Sequence, residues 1–128
     1  MKDDKRLARV NARIQEELAR LLVRDVQDPR VRGAMVTSVS ITPDLLDARV
    51  RVRLATGDDP AARKALLTGL ASASGLLRRE IGQRLALRHA PRLAFHYDES
   101  LEQTRRIEEV LAEIAAEPKA SDDDPSDE

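Results

Sequence analysis

Between residues 47 and 54 the chain alternates without a break, with Asp47, Arg49, Arg51 and Arg53 interleaved with Ala48, Val50, Val52 and Leu54. Successive side chains of an extended strand point to opposite faces, so this segment predicts a strand with one apolar and one charged face. A single strand cannot bury its apolar face alone. The partner is close in sequence: residues 34 to 42 place Val39 and Ile41 on one side and Ser38, Ser40 and Thr42 on the other. The short connection Thr42-Pro43-Asp44-Leu45 folds the two into a hairpin.

The remaining segments supply helices to cover that hairpin. Residues 3 to about 26 read as an amphipathic helix, with Leu7, Val10, Ile14, Leu18, Leu21 and Leu22 at three- and four-residue spacing. Asp28-Pro29 ends it, since the residue before proline is pushed out of the helical region. Asp59-Pro60 opens another helical pattern, with aspartate as cap and proline in the first turn. This pattern runs to about Leu87, but Gly69, Ala73-Ser74-Gly75 and Gly82 interrupt it. An interior glycine costs about 1 kcal/mol relative to alanine. The segment is therefore expected to form two helices with a kink or tight turn near Ser74-Gly75. Pro91 closes the region, and residues 92 to 97 read as a third strand. Ser100 and Gln103 make a capping-box pattern before a last helix carrying Leu101, Ile107, Val110, Leu111 and Ile114. The order is helix, strand, strand, helix, helix, strand, helix. It predicts an α+β domain over residues 1 to 116, a three-stranded sheet with helices on one face. From Glu117 the composition turns to Pro, Ser, Asp and Glu, which predicts a disordered acidic tail over 117 to 128.

Charge is unevenly spread along this plan. The net charge of −1 comprises 22 Lys and Arg against 23 Asp and Glu. The tail holds six of the acids and one of the bases, so the body carries 21 bases and 17 acids, +4 against −5. A basic body can attract phosphates, and an acidic tail cannot. The absence of cysteine excludes disulfides, thiolate metal sites and cysteine nucleophiles, and suits a cytoplasmic protein. No apolar run approaches the roughly 18 residues that a membrane span needs, and the charged N-terminus does not look like a signal peptide.

The predicted order is that of a type II KH RNA-binding domain, and particular residues resemble one family. Arg9-Val10-Asn11 and Leu21-Leu22 fall in the first helix, with Asp28-Pro29-Arg30 after it. Thr37-Ser38-Val39-Ser40-Ile41 and Thr42-Pro43-Asp44-Leu45 cover the hairpin, and Ala73-Ser74-Gly75-Leu76-Leu77-Arg78 the helix junction. Leu85, Arg88 and Ala90-Pro91-Arg92-Leu93-Ala94-Phe95 lead to Asp98 and Ser100. In order and spacing these segments resemble the bacterial ribosome-binding factor A family from about Arg6 to Ile114. The resemblance implies a monomeric, non-enzymatic factor without cofactor, metal, small-molecule substrate or membrane partner. It would bind the immature 30S subunit, assist 5′-end processing and folding of 16S rRNA, leave before translation begins, and support growth in the cold. Many members carry glycine where this chain has Thr104, and the acidic tail lies outside the shared pattern.

Ordinary KH domains grip the nucleic-acid backbone with a GxxG loop, which is absent here. Ala73-Ser74-Gly75 occupies the corresponding junction. Spacing alone leaves two readings: Gly75 only bends the helix, or it lets a backbone approach the amides of a following helix. The resemblance favours the second. Arg78, Arg79, Arg84 and Arg88 follow over a broad face, and with Ala73, Ser74 and Gly75 make the candidate phosphate surface, while Leu77, Ile81 and Leu85 claim the core side. Arg49, Arg51 and Arg53 line the polar side of the second strand, where an RNA or the protein's own carboxylates would serve equally as partners.

Phe95 and Tyr97 are the only aromatics, too few for base-stacking platforms, so recognition should lean on phosphates, sugars and RNA shape. His89 and His96 have no ligand spacing between them, and Ser72, Ser74 and Ser100 lack an activating base, so nothing points to a metal or a nucleophile. Two other readings remain: a KH-like regulator of other RNAs, and a protein-interaction module using the first and last helices. The tail would aid solubility or compete weakly with RNA.

Overall fold

The computed structural model describes residues 2–116; the acidic tail, expected to be disordered and to aid solubility or compete weakly with RNA, lies outside them. The described residues fall into two compact units, 2–98 and 99–116.

In the first unit the hairpin forms as its alternation requires. Strand β1 (Ala34–Ile41) pairs antiparallel with β2 (Asp47–Leu54), with Val39 opposite Val50 and Ile41 opposite Ala48. A bulge between Val36 and Ser38 inserts Thr37, whose hydroxyl donates to Asp98 Oδ2 at 2.6 Å. At the turn, Asp44 Oδ1 accepts from the Leu46 amide at 3.0 Å and from the Thr42 hydroxyl at 2.6 Å. Leu45 sits there at φ 64° and is half-buried against the core. A glycine would relax that backbone but give up the apolar contact.

Strand β3 (Arg92–Tyr97) adds to β2 in parallel, with Leu93, Phe95 and Tyr97 opposite Ala48, Val50 and Val52, so the sheet order is β1-β2-β3. Helix α1 (Lys2–Arg24) ends two residues before its expected limit, and Asp28 caps the short 3-10 turn Pro29–Val31 that follows. Asn11 Oδ1 accepts the Ile41 amide at 2.8 Å, and Gln15 Nε2 donates to the Val36 carbonyl at 3.0 Å, tying α1 to β1.

Helix α2 is where expectation and structure part. Residues Pro60–Arg84 form one continuous helix of 25 residues, not two. Its buried Leu66, Leu70, Leu77 and Ile81 keep the three-to-four residue register of one unbroken face. Two of the glycines that suggested a break serve packing. A Cβ on Gly69 would lie 2.8 Å from Val31 Cγ2, and one on Gly82 would lie 3.0 Å from Ala90 Cβ. Glycine there lets the 3-10 turn and the loop before β3 close onto the helix, and that burial offsets the lost helix propensity.

The core therefore lies between one face of the sheet (Val39, Ile41, Ala48, Val50, Val52) and two helices, α1 with Ile14, Leu18 and Leu21, and α2. The α+β reading holds, with α1 and α2 on one sheet face. In the second unit, α3 (Ser100–Ala116) begins where the capping pattern placed it. Thr104 stands inside this helix, its hydroxyl donating to the Ser100 carbonyl at 3.0 Å. Leu101, Ile107, Val110, Leu111 and Ile114 are exposed.

Candidate nucleic-acid interface

Asp59 caps α2 by accepting the Ala62 amide at 2.8 Å, and Pro60 occupies the first turn. From that start, about 100° per residue places Gly75, Arg79 and Gly82 on the side of α2 turned away from Leu66 and Leu77. The core fixes this orientation, so the outer face of α2 presents Gly75 and Arg79 to solvent, while Ala90 covers part of Gly82.

Gly75 differs from the other two glycines of the helix. It is exposed, and a Cβ built on it would meet no atom within 4 Å. Nothing in the described protein uses the space it leaves. Beside it, Gly75, Arg78, Arg79, Gly82, Gln83 and Ala86 border an open hollow of about 710 Å³. Arg78 is steadied by donating Nε to the Ala90 carbonyl at 3.1 Å, and its remaining donors stay with the exposed side chain. Arg79 is exposed, and Arg88 is exposed beyond the helix end. Guanidinium groups around a surface without a Cβ suit a phosphate backbone, which can approach closely and accept forked hydrogen bonds.

Two sequence expectations change at this site. No helix begins at Gly75, so the amides there are spent inside α2 and cannot serve as an anion-binding terminus. Ser74 spends its hydroxyl on its own helix, donating to the Ala71 carbonyl at 2.8 Å, and Ala73 is half-buried against the core. Arg84 leaves the group altogether. It reaches Glu17 Oε1 at 3.0 Å, Glu80 Oε1 at 3.3 Å and Asp25 Oδ2 at 3.7 Å. Its azimuth matches that of the buried Leu66, which turns it toward α1. The hydrogen bond from Arg84 holds the Glu17 carboxyl below the usual glutamate value and raises Arg84 itself.

The open face of the sheet carries the other predicted arginines. Arg49 and Arg51 are exposed and Arg53 is half-buried, its Nε enclosed without an acceptor among the described residues. Across the strands, Ser40 and Ala94 flank Arg49, and Ser38 and His96 flank Arg51. Arg92, at the same face, instead forms a forked pair with Asp47 at 2.8 and 3.0 Å. The two aromatics are both committed to structure: Phe95 packs on the core, and the Tyr97 hydroxyl accepts the Leu54 amide at 3.0 Å while Arg63 lies 4.5 Å over its ring.

Asp28-Pro29-Arg30 proves architectural, with Arg30 clamped on Asp28 at 2.7 Å and the motif seated against Gly69. Sequence spacing held a signal for this: an aspartate two residues before arginine across a proline makes a local capping turn. Among the described residues no three His, Cys, Asp or Glu side chains cluster to hold a metal, and no helix is long and apolar enough to cross a membrane.

Comparison with known proteins agrees along nearly the whole described chain. The family model for ribosome-binding factor A matches residues 6–111. A ribosome-binding factor A of Sorangium cellulosum is 51% identical over 111 residues, covering 86% of this chain and 89% of the relative. That of Geobacter sulfurreducens is 43% identical over 118 residues, covering 92% and 98%. The crystal structure of ribosome-binding factor A from Thermus thermophilus superposes with a TM-score of 0.60 at 25% identity, covering 71% of this chain and 94% of that one. With a sheet, helices and motifs in one shared order, the chain belongs to the ribosome-binding factor A family.

Proposed function

We propose that this protein is a non-catalytic assembly factor that binds the immature 30S subunit. It does so by seating an RNA backbone on the outer face of α2, at Gly75 between Arg78 and Arg79, with Arg88 adding charge at the helix end. The observation that carries this reading is the vacant Cβ space of Gly75. An exposed glycine in the middle of a 25-residue helix costs stability, and no part of the described protein recovers that cost by packing. A ligand that must approach the helix backbone closely does recover it. Phosphates fit the charge, and the scarcity of aromatics argues against reading single-stranded bases. Membership of the family points to the ribosome as the source of that RNA. Held against 16S rRNA in this way, the factor assists folding and 5′-end maturation, acting as a monomer in the cytoplasm and supporting growth in the cold.

Cosedimentation tests the reading. The protein is expected to bind isolated 30S particles saturably and assembled 70S ribosomes much less. Arg79→Glu should weaken 30S binding by about tenfold or more without unfolding the protein. Equal binding to both particles, or wild-type affinity in the variant, would refute it.

A further inference from the structure

The open face of the sheet has a charge pattern that the protein does not satisfy by itself. Arg49, Arg51 and Arg53 stand at alternate positions of β2, about 7 Å apart along the strand. Among the described residues no carboxylate pairs with any of the three. That contrasts with Arg84 and Arg92, which are each held by carboxylates. Like charges in a row on one strand face cost stability unless a partner neutralises them. Beside Arg49 lies a depression of about 360 Å³ bordered by Ser40, Thr42, Ala94 and His96, with the Asp47–Arg92 pair and Leu93 also on its rim.

We propose that this face is a second RNA-backbone surface, lying on the opposite side of the domain from α2, so that one molecule bridges two RNA segments. The geometry follows from the layers. α2 packs its Leu66, Leu70, Leu77 and Ile81 toward the inner face of the sheet, so its Gly75 side and the outer sheet face point in opposed directions. One RNA helix cannot lie on both. The choice of RNA over an acidic protein rests on what the face lacks. Protein interfaces are anchored by buried aromatic and aliphatic side chains. Around Arg49 and Arg51 the neighbours are Ser38, Ser40, Ala94 and His96. The exposed apolar side chain of this face, Met35, stands opposite Arg53 at one end of the row; around Arg49 and Arg51 no apolar anchor interrupts the guanidinium forks, which match successive phosphates.

The inference rests on the α2 reading for the first of the two contacts, and the test separates them. Donor- and acceptor-labelled copies of one RNA hairpin are mixed in excess with the full-length protein at low salt. Wild type is expected to hold two hairpins and give energy transfer between them. Arg49→Glu with Arg51→Glu should hold one hairpin, without transfer, and lose about two units of slope in the salt dependence of overall binding. Arg79→Glu should also hold only one. The neutral Arg49→Gln, Arg51→Gln pair, with no ion pair to lose and like-charge repulsion relieved, should melt at or above the wild-type temperature and still lose the transfer. Full transfer in both sheet variants overturns the proposal. A single hairpin in wild type that vanishes only in Arg79→Glu overturns it too, and leaves the α2 reading standing. A single hairpin that vanishes only in the sheet variants overturns the bridge and sinks the α2 reading with it. Stoichiometric displacement of the second hairpin by oligoglutamate would show an acidic-protein site and refute the RNA assignment.

Discussion

Three glycines punctuate α2, and they act through different physics. At Gly69 a methyl group would press on the buried Val31 at 2.8 Å. Gly69→Ala is therefore expected to lower stability by about 1 kcal/mol or more despite its better helix propensity, because overpacking outweighs it. At Gly75 the space is open. Gly75→Ala should raise the stability by about 1 kcal/mol in a denaturant melt. The same substitution should weaken 30S binding, because the methyl group occupies the surface where the backbone must come close. A stability gain with unchanged binding would show that Gly75 serves neither purpose. Ala86 poses the reverse problem. It ends α2 at φ 53°, in a turn closed by the Leu87 amide on the Gly82 carbonyl and the Ala86 amide on Gln83. Glycine is the usual residue at that left-handed position. Ala86→Gly should stabilise the protein by about 0.5–1 kcal/mol, the relieved strain exceeding the added unfolded-state entropy.

Between elements, the joint of α1 and α2 is electrostatic at its edge and apolar at its centre. Arg84 gathers Glu17 from α1 and Glu80 from its own helix, and Arg13 donates to the Arg84 carbonyl at 3.3 Å. Glu17 is thereby held below its ordinary value, first through the hydrogen bond to Arg84. A carboxylate depressed in the folded state stabilises it above the unfolded pKa, and that contribution fades as pH falls through the folded one. Asp28, Asp44 and Asp58 are lowered likewise, by Arg30, by Thr42 and by Arg63. Stability should therefore drop as pH falls below roughly 4. Glu17→Gln should flatten that acid limb while leaving Arg78 and Arg79 untouched. The hairpin and α1 were legible before any of this, because their periodicities are local. The continuity of α2 was not. A glycine that breaks a helix and a glycine that lets a neighbouring chain approach look the same in sequence.

For the molecule as a whole, every residue of the buried core lies within the first unit. A chain ending at Asp98 is expected to keep a single cooperative thermal transition, and loss of cooperativity on that truncation would count against a self-contained core. The sequence alone determined the elements that depend on near neighbours: the two-faced strand 47–54, its hairpin partner, the amphipathic first helix, and the family to which their order belongs. It also placed every candidate arginine. Only the tertiary structure decided which of them remain available. Arg84 is taken by Glu17, 67 residues away, whereas Arg79 is left exposed and the arginines of β2 pair with no described carboxylate, the Asp47 on their face being held by Arg92. The reason is physical: an ion pair or a close backbone approach depends on distances between segments far apart in the chain, and periodicity carries no record of those distances.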